Sequence, residues 1–247
     1  MARSSVVTES EAVVSRTHKK KYRPWPSRAI LVFLAGGLIV LLAVGYLGFF
    51  GSTETKTKAA AGRLKLQGQR LYRAKKYDQA ADFLNRYLGL APKDQRTREL
   101  LAQIYWQIGD GWRAFAELNI VNRSSAPNGD RFYRLGLLAD QMGKRDESVV
   151  FLKKAVALKP ESMLFRVELA KSLTKLEHYD EAVVQWQEAI DRLPDKDLYA
   201  AVIYAELGDV LRLKGDIEKA KEAYRRGLEI EPGNVYLQAQ IAGAGGQ

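Results

Sequence analysis

The chain has 247 residues, a formal net charge of +10, 47% hydrophobic residues, two histidines and no cysteine. This composition excludes a cysteine nucleophile and a metal cage built from cysteine and histidine. A chain without cysteine is compatible with oxidising and with reducing compartments, so composition alone does not indicate where the protein works.

The first 28 residues form a basic segment. They carry a net charge of +5, show no sustained helical or strand period and end in PWPSR. Proline fixes φ and has no amide proton, so this ending resists helix formation. We interpret residues 1–28 as a mobile, basic N-terminal tail.

Residues 29–50 form an apolar segment that contains no charge over 22 residues. As a helix it would extend roughly 33 Å at about 1.5 Å per residue, which is enough to cross a bilayer. We therefore predict a transmembrane helix. A cleaved signal peptide is the alternative, because a basic segment comes first and Ala59–Ala61 offers small residues. The apolar run is, however, longer than the roughly 7–15 residues of a signal core.

The charges on the two sides of this segment favour one orientation. Residues 19–28 carry five cations, whereas the linker at residues 51–60 carries Lys56 and Lys58 against Glu54. The positive-inside tendency predicts a single-pass protein with a cytoplasmic N-terminus and the rest of the chain on the extracytoplasmic, periplasmic side. Residues 51–98 have a net charge of +8, which suits contact with anionic lipid head groups. No nucleic-acid motif accompanies the charge, so we expect no nucleic-acid partner.

The remainder of the chain repeats itself. Similar sequence segments end near the prolines at positions 92, 160, 194 and 232. The intervals of 68, 34 and 38 residues between these prolines indicate a period of about 34 residues. Five copies can be placed, of which the second is degenerate: 61–94, 95–128, 129–162, 163–200 and 201–234. Residues 235–247 would add a capping helix and a short tail. Because NRSSAPNGD follows the second copy, we expect a looser junction near Ser124–Asp130.

The same register positions recur in every copy. Small residues recur at positions that let paired helices approach closely: Gly68, Ala102, Gly136, Ala170 and Gly208. Apolar or aromatic residues and a closing proline recur at the other motif positions. This pattern resembles the tetratricopeptide repeat family over about residues 61–242. The resemblance implies an all-α, right-handed superhelical solenoid of five helix hairpins, preceded here by the transmembrane helix.

The resemblance also implies protein or peptide binding, with the first helix of each repeat lining a concave groove. Trp106 is the main predicted anchor, because it follows the packing residue Tyr105 and large aromatic side chains are common anchors at interfaces. The candidate groove residues are Lys65, Gln69, Tyr72, Arg73, Gln103, Trp106, Gln107, Tyr133, Arg134, Asp140, Lys171 and Lys175.

The family's terminal-carboxylate clamp is not expected here. Lys65 and Arg134 fit that pattern, but Gln69, Leu100 and Asp130 stand where two asparagines and a lysine belong. Motifs for phosphate binding, nucleophile elbows and zinc proteases are also missing, so we expect no enzyme activity and no cofactor.

These observations predict a membrane-anchored scaffold or adaptor that binds partner proteins during assembly or biogenesis of a membrane complex. The lipid bilayer would contact residues 29–50. Two alternatives stay open: a permanent structural subunit of a large membrane assembly, and a periplasmic binding module released by cleavage.

Overall fold

A computed structural model describes the backbone of residues 27–193 and 198–243, and side chains over the same ranges except at 27–31, 33–35, 47–53 and 198. Within these ranges the chain forms eleven helices and no strand. The predicted all-α repeat solenoid is therefore confirmed. The helices are α1 (Ser27–Arg73), α2 (Tyr77–Leu90), α3 (Gln95–Gln107), α4 (Gly111–Ser124), α5 (Gly129–Gln141), α6 (Arg145–Leu158), α7 (Met163–Lys175), α8 (Tyr179–Ile190), α9 (Leu198–Lys214), α10 (Ile217–Ile230) and α11 (Val235–Gly243).

The chain divides into two units, residues 1–58 and residues 59–247. In the second unit each helix from α2 onward packs against the next one along the chain. Its apolar core consists of two clusters of buried residues, one from Ala80 to Phe165 and one from Val149 to Leu237, and the partly buried Tyr133 and Val156 pack against both. The largest side chains that are completely buried are Trp186 and Tyr224. The helices thus form a linear stack in which each hairpin covers the apolar face of its neighbour.

The first unit contains the predicted tail and the predicted transmembrane segment. Residues 1–26 of the tail lie outside the described residues, and residues 29–50 are helical within α1. Side chains at 29–31, 33–35 and 47–50 of that segment also lie outside the described part of the chain. Within the described residues, no helix has the length and apolar character that a membrane crossing requires.

The turn inside each hairpin uses the same backbone conformation. One residue per turn has a positive φ: Lys75 (57°), Gly109 (80°), Gly143 (73°), Glu177 (61°) and Gly215 (95°). Glycine adopts this left-handed conformation without steric cost, whereas other residues are strained in it. The turn geometry is therefore fixed by the fold. Glycine suits it best, but two of the five turns have Lys75 or Glu177 at this position.

Close approach of the paired helices depends on the small residues of the first helix. A methyl group at Gly136 would lie 2.6 Å from Leu152 Cγ, and one at Gly208 would lie 2.3 Å from Tyr224 Cε1. Both distances are far shorter than a carbon–carbon contact of about 3.5–4.0 Å. The predicted role of these glycines in helix approach follows directly from this geometry.

Side chains in the next first helix hold the turns that join successive hairpins. Arg166 donates from Nε (3.2 Å) and Nη2 (2.9 Å) to the carbonyl oxygen of Pro160. Arg98 makes the same pair of bonds to Pro92, at 3.2 and 3.1 Å, and Gln238 donates to Pro232 at 2.9 Å. In each case the donor lies six residues after the proline, so the link is tied to the helix that follows it.

The junction after the second hairpin is not looser than the others, so that expectation is wrong. Residues 125–128 form a four-residue link, as do residues 91–94 and 159–162. Gln95 Nε2 donates to Ser124 O at 3.0 Å, and Arg131 donates to Ala126 O at 3.1 Å. Asn128 caps α5 by accepting a bond from the amide of Arg131. Gln95, Asn128 and Arg131 thus hold the link in place.

Candidate protein-binding surface

The twelve predicted site residues lie on the first helices of four successive hairpins, namely the 59–73 part of α1 and helices α3, α5 and α7. We call this surface the first-helix face. Its exposed members are Arg73, Gln103, Gln107, Arg134 and Lys175, and its partly buried members are Lys65, Gln69, Tyr72, Trp106, Tyr133, Asp140 and Lys171.

A pocket of about 240 Å³ opens on this face between α3, α4 and α5. Five of the twelve predicted residues belong to its lining, and they come from two different helices. The complete lining is Ala102, Gln103, Trp106, Gln107, Leu118, Tyr133, Arg134 and Leu137. The structure thus brings together residues that are about 30 positions apart in the sequence.

The lining of the pocket combines two aromatic side chains with three aliphatic ones. The aromatic side chains are Trp106 of α3 and Tyr133 of α5. The Tyr133 ring stacks on Phe165 with centroids 4.8 Å apart and an angle of 19° between the rings, which fixes its position. Burial, aided by the negative charge of Glu168, raises the pKa of Tyr133, so its hydroxyl group stays protonated at neutral pH.

Three of the predicted lysines are held by carboxylates of the same chain. Lys171 contacts Glu168 at 3.0 Å, and Lys175 contacts Asp140 at 2.6 Å. Lys65 contacts Asp94 at 2.7 Å. Lys65 and Lys175 therefore join successive hairpins, whereas the pair of Lys171 and Glu168 lies within α7.

Asp94 is the centre of the most extensive of these networks. Its carboxylate accepts bonds from Lys65, from the Tyr87 hydroxyl at 2.7 Å and from the amide and hydroxyl of Thr97. Burial by itself would raise the pKa of Asp94, but these donors outweigh it and hold the pKa well below its usual range. The carboxylate therefore remains ionised and links the first two hairpins.

Arg134 differs from the three lysines. It is exposed at the rim of the pocket, and the described residues provide it with no ion-pair partner. Gln103 and Gln107 are exposed beside it and also line the pocket. The pocket thus combines an apolar interior with one available cation and two amide groups.

Other predicted residues lie outside the pocket lining. Tyr72 packs on Tyr77 with ring centroids 6.0 Å apart, and Gln69 is partly buried on the same helix. Arg73 is exposed at the end of α1. They share the first-helix face with the pocket without contributing to it.

The pocket also includes apolar residues that the sequence prediction omitted. Leu137 occupies the register position of Gln69 and Gln103, so the 34-residue period could have identified it. Leu118 belongs to α4, the second helix of its hairpin, and the first-helix pattern gave no reason to include it.

Comparison with known proteins agrees with this geometry. Residues 130–162 and residues 201–234 each match a model described as tetratricopeptide repeat. These matches support the tetratricopeptide repeat family. They coincide with the hairpins α5–α6 and α9–α10.

Curated relatives share part of the chain. DnaJ homolog subfamily C member 3 of Gallus gallus is 22% identical over 70% of this chain and 37% of its own length. Hsp70-Hsp90 organizing protein of Triticum aestivum is 28% identical over 44% of this chain and 18% of its own length. The chain thus spans well under half the length of these relatives.

Solved structures show the same fold. YrrB, described as a tetratricopeptide repeat protein with an unusual peptide-binding site, superposes with a TM-score of 0.65 and 20% identity. That match covers 77% of this chain and 96% of YrrB. MamA superposes with a TM-score of 0.64 and 18% identity, covering 70% of this chain and 92% of MamA. Tetratricopeptide repeat proteins mediate contacts between proteins, which fits a scaffold role for this chain.

Proposed function

We propose that this protein is a membrane-anchored scaffold or adaptor that binds partner proteins through the first-helix face, in the assembly or biogenesis of a membrane complex. The observation that carries the proposal is the pocket between α3, α4 and α5, whose lining includes Trp106, Tyr133 and three aliphatic side chains. Aromatic anchors in concave, partly apolar sites are typical of interface hot spots.

Sequence properties support the anchor. Residues 29–50 contain no charge, and their described side chains are exposed in the structure, including Leu38 (59%), Ile39 (66%) and Leu41 (71%). So many exposed aliphatic side chains need an apolar environment, which a bilayer supplies. Anchoring would raise the effective concentration of the binding face near partners in the same membrane.

Site-specific crosslinking tests the binding face. The photoreactive residue p-benzoylphenylalanine would be introduced at Gln103, which is exposed at the pocket, and separately at Ala116, which is exposed on α4. After irradiation of cells of the source organism, mass spectrometry would identify the crosslinked proteins. We expect defined partners from position 103 and none of these partners from position 116.

The reverse pattern would contradict the proposal. If only position 116 gave products, and these were recovered in fixed stoichiometry with one complex, the chain would be a permanent subunit that uses its second helices. If neither position gave products, the first-helix face would not bind proteins in the cell.

Membrane topology is tested with single cysteines, because the chain contains no native thiol. We expect an impermeant maleimide added to intact cells to label S125C and not S5C. Labelling of S5C alone would reverse the proposed orientation. An intact mass lacking about the first 50 residues would instead show that the segment is a cleaved signal.

A further inference from the structure

We propose that the pocket between α3, α4 and α5 binds a large apolar side chain within an extended, acidic segment of a partner protein, and that Arg134 pairs with a carboxylate of that segment. This inference rests on the proposed function, since it names the kind of partner that the first-helix face would bind.

The shape of the pocket favours a large apolar side chain. Its volume of about 240 Å³ is open to solvent, and its lining includes the aliphatic side chains of Ala102, Leu118 and Leu137. Because the Tyr133 ring stacks on Phe165, this part of the pocket lining is already ordered before any partner binds. A preformed apolar site reduces the entropy lost on binding, so a single side chain can act as the anchor.

The charges on the first-helix face indicate that the partner carries an acidic residue beside the apolar one. Lys65, Lys171 and Lys175 are each paired with a carboxylate of this chain, at 2.7, 3.0 and 2.6 Å. Arg134 is the pocket residue that keeps its charge unpaired among the described residues. A guanidinium group binds carboxylates through two parallel hydrogen bonds, so an aspartate or glutamate next to the anchor would complete the contact.

The net charge of the surrounding hairpins also favours an acidic partner. Residues 59–162, which contain the pocket, include 19 basic and 11 acidic residues and have a net charge of +8. Residues 163–247 include 11 basic and 15 acidic residues and have a net charge of −4. Complementary charge steers association and disfavours partners of like charge, so the pocket favours an acidic segment over a basic one.

The amide side chains of two glutamines at the pocket favour a partner segment with an extended backbone. Gln103 and Gln107 lie one helical turn apart on α3, and both are exposed at the pocket. A glutamine side chain both donates and accepts hydrogen bonds, so it can pair with the amide and the carbonyl of an extended chain. Such bonds add affinity without requiring a particular sequence.

The test is a selection of random nonapeptides displayed on phage against the purified full chain, with W106A as the counter-selection. We expect the peptides that bind only the wild-type protein to place Asp or Glu within two residues of a large apolar side chain. Selected peptides that are neutral or basic would overturn this inference and leave the proposed function standing. Recovery of no wild-type-specific peptide would overturn both.

The most enriched peptide, labelled with fluorescein, then serves as the probe. We expect W106A to weaken its binding about thirtyfold or more, as for an interface hot spot. R134Q should weaken it about three- to fivefold and reduce its salt dependence, because one exposed ion pair is lost. R96Q removes an exposed cation of α3 outside the pocket and is the matched control.

Two results of this measurement would reject the assignment. Equal losses with R134Q and R96Q would mean that only the general charge of the surface matters. A concentration-dependent dimer of the full chain that dissociates with W106A would assign the pocket to a second copy of this protein.

Discussion

Within each repeat, residue type is restricted in the interior of the hairpin and variable on the first-helix face. At the position where the first helix meets the second, the five copies have only glycine or alanine: Gly68, Ala102, Gly136, Ala170 and Gly208. Four positions later on the first helix, every copy differs: Tyr72, Trp106, Asp140, Thr174 and Arg212.

This difference has a physical cause. Inside the hairpin a Cβ atom would meet a neighbouring side chain at less than 3 Å at Gly68, Gly136 and Gly208, so residue size is restricted. On the face, side chains meet solvent or one another, and several residue types are tolerated. The repeat can therefore keep its fold while the chemistry of its binding surface changes from one copy to the next.

The largest expected effect comes from filling an interior position. G208A places a methyl group 2.3 Å from the ring of Tyr224, whose hydroxyl is bonded to Asp209 at 2.9 Å. The ring cannot move without losing that bond, so we expect a loss of about 3 kcal/mol in unfolding free energy. Urea unfolding followed by circular dichroism measures it. G62A is the control, because a methyl group there meets nothing within 4 Å, and it should be neutral or slightly stabilising.

The next largest effect concerns the charged link between the first two hairpins. D94N removes the charge that holds Lys65 and Tyr87, and we expect a loss of about 2 kcal/mol at pH 7. Since the pKa of Asp94 is lowered in the fold, its contribution is present above the ordinary carboxyl pKa of 3.8 and is lost as the pH falls below that value.

Unfolding curves at pH 7 and at successively lower pH values test this predicted pH dependence of stability. The difference in stability between wild type and D94N should shrink below about pH 4. D110N is the matched control, because Asp110 caps α4 in the same way but pairs with Arg113 of its own helix rather than with a lysine and a tyrosine of another hairpin. A difference that grew in acid would contradict the role given to Asp94.

A smaller gain is expected at the two strained turns. K75G and E177G place glycine at φ values of 57° and 61°, as in the other three turns. Relief of strain exceeds the entropic cost of glycine, so each should stabilise the fold by about 0.5–1 kcal/mol. Thermal unfolding provides the measurement, with K76G, one residue further along, as the control. Destabilisation by K75G would show that its side chain has another role.

The smallest effect on stability is expected on the first-helix face. Q103A, Q107A and R134A truncate exposed side chains and should each change the unfolding free energy by less than about 0.5 kcal/mol. The same urea titrations measure this. A loss comparable to that of G208A would mean that these side chains belong to the structural core and are as restricted as the interior glycines.

The sequence was sufficient to predict the repeat and its helices. The 34-residue period, the small residues and the closing prolines are local signals, because each recurs at a fixed distance along the chain. For the same reason the sequence indicated the face on which Trp106, Tyr133 and Arg134 lie. The apolar segment at residues 29–50 is a similar local signal, and its membrane role stays a prediction.

Only the tertiary structure decided which of these residues act together. It placed Trp106 and Arg134 on one pocket with Leu118, which belongs to a second helix, and it paired Lys65, Lys171 and Lys175 with carboxylates. It also showed that Ser124–Asp130 is tied by hydrogen bonds rather than loose. Such pairings depend on distances between helices, and a repeat period fixes the orientation of each helix without specifying which side chains meet across the gap.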